Sequence, residues 1–76
     1  MEAIDTYKFL LTLGLKDSDL LLVDFLSNGM RTKEIALTVG RSVRTIESRI
    51  GILMERTKTK SQAHLVALFF RNKLIK

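Results

Sequence analysis

The stretch Thr32–Leu53, TKEIALTVGRSVRTIESRIGIL, decides how the rest of the chain is read. Ile35, Ala36 and Val39 recur at helical spacing, Gly40 breaks the pattern, and Ile46, Ile50, Leu53 and Thr57 resume it at 4-3-4 steps. Two helices joined by a turn of three or four residues satisfy that spacing. Gly40 tolerates the left-handed backbone of a sharp reversal. Ser42 can cap the helix that follows, and small Ala36 lets that helix cross close by, with β-branched Ile46 packing back.

Working outward, the remaining segments also read as helices. Residues 2–13 put Ile4, Tyr7, Leu10 and Leu11 on one face before Gly14. A helix from Asp17 or Ser18 to Ser27 follows, capped by one of those two residues, with Leu22, Val23, Phe25 and Leu26 inward and Gly29 at its exit. Thr32 is placed to cap the next helix, and Ser61 the last one, which runs to about Arg71. Proline is absent and β-branched alternation is weak. The expectation is an all-α, four-helix bundle over residues 15–76 with an additional N-terminal helical segment over 1–14.

Seventy-six residues bound a single small domain whose stability rests on apolar packing, completed or not by a second subunit. There is no cysteine and one histidine, which removes disulfides and His- or Cys-based metal sites. No basic leader precedes the first apolar run, and no apolar run approaches the roughly 20 residues that span a bilayer. A cytoplasmic, nucleoid-associated location with no membrane partner is expected. Charge divides unevenly. Lys8 and Lys16 face Glu2, Asp5, Asp17, Asp19 and Asp24 in residues 1–29, a balance of −3. Residues 30–76 carry a balance of +8, the electrostatic footprint of a polyanion partner.

From Leu15 onward the chain resembles the LuxR-type (GerE-like) helix-turn-helix family of bacterial transcription regulators. The resemblance rests on Leu22-Val23, Gly29, Lys33-Glu34-Ile35-Ala36, Ser42 with Thr45-Ile46, Leu65-Val66 and Leu74-Ile75, six blocks in register without a gap. It implies a four-helix bundle whose third helix enters the major groove of double-stranded DNA and whose fourth forms a dimer seam. With no room for a receiver or ligand-sensing domain, the chain looks like a stand-alone member. No cofactor and no small-molecule substrate are implied.

The resemblance, together with the cations that flank the reading helix and Arg41 at a turn position usually apolar in the family, implies the contacts. Lys33, Arg41, Ser42, Arg44, Thr45, Glu47, Ser48, Arg49 and Lys58 are the expected DNA-binding residues. Thr45 would give its hydroxyl to a phosphate, and Arg49 stands where a histidine is common. Glu47 departs from the usual lysine. It either accepts from cytosine N4, pairs with Arg44 or Arg49 in solvent, or repels phosphate. Gly51 costs a helix about 1 kcal/mol relative to alanine and needs a reason. Thr57-Lys58-Thr59 replaces the family's leucine-glycine-valine after this helix.

The last helix is apolar around more than half its circumference. Leu65, Val66, Phe69 and Phe70 are therefore expected at a homodimer interface, the alternative being that residues 2–13 fold over them. His64 is expected at the surface or the seam. A dimeric, sequence-specific DNA-binding regulator is the leading functional expectation. The alternative is an interaction module that heterodimerises with a larger LuxR-type regulator and antagonises it without reading DNA. No nucleophile–base pair, carboxylate pair or phosphate-cradling glycine loop points to an enzyme.

Overall fold

The computed structural model describes residue 8 and residues 10–75. Among these there are helices and turns only: α1 Asp17–Ser27, α2 Thr32–Val39, α3 Val43–Thr57 and α4 Gln62–Arg71, preceded by a helical stretch over residues 10–13. The chain is all-α, as its periodicity implies. No described helix is long and apolar enough to cross a membrane.

Every helix exit is closed the same way. The residue at the bend has positive φ: Gly14, Gly29, Gly40, Lys58 and Lys73. The amide after it bonds back five residues, as Leu15 does to Leu10, Met30 to Phe25, Arg41 to Ala36, Thr59 to Met54 and Leu74 to Phe69. This closure turns the chain sharply and drops Leu15, Thr59 and, one residue further on, Ile75 into buried positions. At Lys58 and Lys73 a β-carbon is forced into a conformation that glycine takes freely.

Helix starts follow two schemes. Ser42 and Ser61 cap α3 and α4 as expected, their hydroxyls accepting from the amides of Thr45 and His64 at 3.1 and 3.0 Å. At α1 and α2 the expectation is corrected, because the caps are Lys16 and Arg31, one position earlier than Asp17 and Thr32. Neither cation can accept a hydrogen bond, so the acid three residues on reaches back. Asp19 Oδ2 accepts from the Lys16 amide and Glu34 Oε1 from the Arg31 amide, each at 2.9 Å.

One core unites all the helices. Val23, Ile35, Leu53, Leu65 and Phe69 are its fully enclosed centre, with Leu10, Leu22, Ala36, Ile46 and Ile50 around them. α2 packs on α3, while α1 and α3 both pack on α4. Two inward assignments are corrected. Val39 is 40% exposed at the end of α2, and Leu11 is 61% exposed, while Leu10 is buried as expected and Leu13 packs beside it against the core. Ile4 and Tyr7 lie outside the described residues.

Candidate nucleic-acid interface

The inner stripe of α3, Ile46, Ile50 and Leu53, is sunk in the core, and that fixes which side of the helix is free. Residues at steps of three and four from one another face out: Arg44, Thr45, Glu47, Ser48 and Gly51 are all exposed. Among the described residues beyond its own helix backbone, nothing lies within 4 Å of where a Gly51 β-carbon would sit, so no packing demand among them calls for the glycine. The three-residue bend Gly40-Arg41-Ser42 delivers this face at its N-terminal end, with Gly40 at φ 71° and Arg41 and Ser42 exposed. Unpaired amides of the first turn add positive potential there.

Ser42 and Thr45 form a small polar unit. Their hydroxyls lie 2.9 Å apart while Ser42 Oγ also takes the Thr45 amide. When Ser42 donates between the two, the Thr45 O–H is free to turn to an anion. Glu47 forms no ion pair with Arg44 or Arg49 among the described residues, so its carboxylate stands open on the face. Lys33 and Lys58 are exposed at opposite ends of the helix pair, in the first turn of α2 and just past α3.

Arg49 departs from the expected face. Its Nε and Nη2 donate to Oδ1 and Oδ2 of Asp19, both at 2.6 Å, in a forked ion pair between α3 and α1. The Asp19 side chain is 1% exposed and that of Arg49 31%. Burial raises the affinity of Asp19 for a proton. Hydrogen bonds from Arg49 and the Lys16 amide, with the charges of those two residues, outweigh it and hold the carboxyl below its ordinary value. The bond to Asp19 raises Arg49 above its own ordinary value. The outer edge of the guanidinium, Nη1 and the second N–H of Nη2, remains for another partner. Asp19 escaped the sequence reading because its partner lies thirty residues away. Its visible signal, an acid three residues after Lys16, announces a helix start and nothing more.

Arg56, a further cation with phosphate potential, is also engaged. Its Nη1 donates to the Gly14 carbonyl at 2.9 Å, closing the end of the helical stretch 10–13. Lys16, Arg41, Arg44 and Arg49 gather around one groove between the start of α1, the end of α2 and the first half of α3. Among the described residues no cluster of His, Cys, Asp or Glu could hold a metal ion.

The expected dimer residues divide. Leu65 and Phe69 are 0% exposed, absorbed by the chain's own core, and this corrects their placement at an interface. Val66 is half-buried and Phe70 is 59% exposed. Together with Leu26, Ala63 and Ala67 they line a shallow apolar groove between α1 and α4. His64 is exposed, its Nδ1 accepting from the Lys60 amide at 3.2 Å. Comparison with protein-family models, with curated proteins and with solved structures gives no match to this chain.

Proposed function

We propose that the chain is a sequence-specific DNA-binding regulator of the LuxR type, acting in the bacterial cytoplasm as a dimer, with α3 in the major groove. The observation that carries this reading is the free outer side of α3. The helix is anchored by Ile46, Ile50 and Leu53 and uncovered along Arg44, Thr45, Glu47, Ser48 and Gly51. Arg41, Arg44, Lys33 and Lys58 then neutralise phosphates, Ser42 and Thr45 hold the helix start against the backbone, and Glu47 and Ser48 contact base edges. Arg49 acts chiefly through its grip on Asp19 and reaches phosphate with the outer edge of its guanidinium alone. Val66 and Phe70 supply the apolar seam that sets two reading helices about one DNA turn apart.

Selection from random duplexes, followed by titration at several salt concentrations, tests the reading. A preferred site and a log–log salt slope near −0.9 per neutralised phosphate are expected. Arg44→Ala should weaken binding and flatten the slope by about one phosphate. Enrichment of no sequence removes the proposal.

One observation favours a second reading. The unpaired Glu47 carboxylate and the engaged Arg49 leave the outer face of α3 with less cationic reach than its position implies. A non-reading chain would instead use Val66 and Phe70 to pair with a larger relative and withhold it from DNA. A stable heterodimer alongside a blank selection experiment distinguishes the two.

A further inference from the structure

The groove between α1, α2 and α3 has a floor that DNA does not need. Ser18, Leu21, Leu22 and Phe25 on α1 and Thr45, Ser48, Arg49 and Ile52 on α3 line its two walls, each set at i, i+3, i+4, i+7 spacing. Leu21 is 48% exposed and Val39, at the end of α2, is 40% exposed, while Phe25 and Ile52 are half-covered. These side chains form an apolar strip about two helical turns long, on the order of 10 Å. A phosphate strand gains nothing from such a strip, whereas the apolar stripe of a guest helix matches it in length and pattern.

The rim decides the charge of the guest. Asp19, the acid in the groove, is already neutralised by Arg49. Arg41 and Arg44 remain as cations at the edge with no ion pair among the described residues, and Lys16 beside them acts on Asp19 by its charge without forming one. A cationic guest would be repelled, and a neutral one would leave this rim unanswered. We propose that this groove is a docking site for an acidic amphipathic helix of a partner protein, its apolar stripe on Leu21, Phe25, Val39 and Ile52 and its carboxylates against Lys16, Arg41 and Arg44. The inference stands on the groove alone and does not require the chain to read DNA. Where DNA is bound through Arg44, Thr45 and Ser48, the guest helix and the duplex exclude each other.

The probe is a synthetic 14-residue peptide with leucines at i, i+3, i+4 and i+7 and glutamates on its flanks. It is compared with the same peptide carrying lysine for glutamate and with a permuted peptide of identical composition but no stripe. Titration of the full chain is followed by fluorescence anisotropy and by backbone amide shifts. Saturable binding of the acidic peptide alone is expected, with shifts centred on Leu21, Phe25, Val39 and Ile52. Leu21→Glu and Arg44→Glu, both at exposed positions, should each weaken it at least tenfold while the circular dichroism of the chain stays unchanged. Absence of binding up to about 1 mM overturns the proposal. So does equal binding of the lysine or permuted peptide, insensitivity to both substitutions, or a map centred on another surface. A DNA duplex that shifts the Leu21 and Val39 amides as strongly as the acidic peptide also overturns it, since the floor would then belong to the nucleic-acid interface.

Discussion

Arg49 on α3 holds both carboxylate oxygens of Asp19 on α1, two bonds of 2.6 Å across thirty residues of sequence. Asp19 is the buried member, and it also closes the start of α1 through the Lys16 amide. Removing Arg49 therefore strands a carboxylate in the core boundary rather than merely deleting a surface charge. Arg49→Ala should cost about 2–3 kcal/mol, below the usual loss for a fully buried pair because the guanidinium edge is open to water. Urea denaturation measures it. A loss under about 0.5 kcal/mol, the level of an exposed pair, would show that the clamp carries no weight. The same argument makes Arg49→Ala a poor probe of phosphate contact and leaves Arg44 as the clean one.

The clamp also fixes the sign of the acid response. Asp19 binds its proton less tightly in the folded chain than at its ordinary value of 3.8, so the unfolded chain is protonated first as pH falls. The stability contributed by Asp19 is complete above that value and is lost as pH drops from it toward and through the lower folded value. Asp19→Asn should lower stability at neutral pH and show a shallower decline below about 4 than the native chain. Parallel decline of the two proteins across that range would assign the acid sensitivity to other carboxylates.

Much of this architecture is legible in single residues, and what is not has a physical cause. Helical periodicity placed all four helices, because Leu22, Ile35, Ile46, Ile50 and Leu53 bury the stripes their spacing defines. Ser42 and Ser61 announced their caps through hydroxyls that can accept. Lys16 and Arg31 could not, since their cap bonds are supplied by an acid further along. Val39 fits the inward stripe of α2 but sits in its last position, where the helix runs past the core. The outer face of α3 followed from its inner one. The Asp19–Arg49 pair did not, for contacts between distant helices leave no periodic trace.

Gly51 is the one glycine inside a described helix, and among the described residues beyond that helix's backbone a β-carbon there meets nothing within 4 Å. Gly51→Ala should therefore stabilise the isolated chain by up to about 1 kcal/mol, through reduced freedom of the unfolded state. Thermal melts check this. If the outer face of α3 lies against DNA, the same methyl should weaken binding while it raises the melting temperature. A gain in stability with unchanged affinity would set Gly51 away from the contact.

Lys58 adopts φ 57° immediately after α3, at the position where the family resemblance places glycine. The flanking threonines hold the bend with hydroxyls 3.0 Å apart, and Thr57 Oγ1 donates to the Leu53 carbonyl at 2.7 Å. A lysine in this region carries roughly 1 kcal/mol of backbone strain that glycine does not. Lys58→Gly should raise stability by about 0.5–1 kcal/mol, and Lys58→Val, with its branched β-carbon, should lower it. If Lys58 also neutralises a phosphate, the stabilised glycine variant should show a salt slope reduced by about one. Equal stability of the glycine and valine variants would mean that the bend relaxes around its residue.

Phe69 and Phe70 are neighbours with opposite fates, one fully enclosed and the other 59% exposed beside Leu26, Val66 and Ala67. Phe69→Ala empties the centre of the core and should cost about 3–5 kcal/mol, enough to unfold a domain of this size at modest temperature. Phe70→Lys leaves the core intact, so its melting temperature at high dilution should match that of the native chain. Its effect belongs to association: sedimentation should show the native chain as a dimer at micromolar concentration and Phe70→Lys as a monomer. A native chain that sediments as a monomer, or a Phe70→Lys dimer, would move the seam elsewhere. The contrast is decisive because adjacent residues on one helix separate packing within the chain from packing between chains.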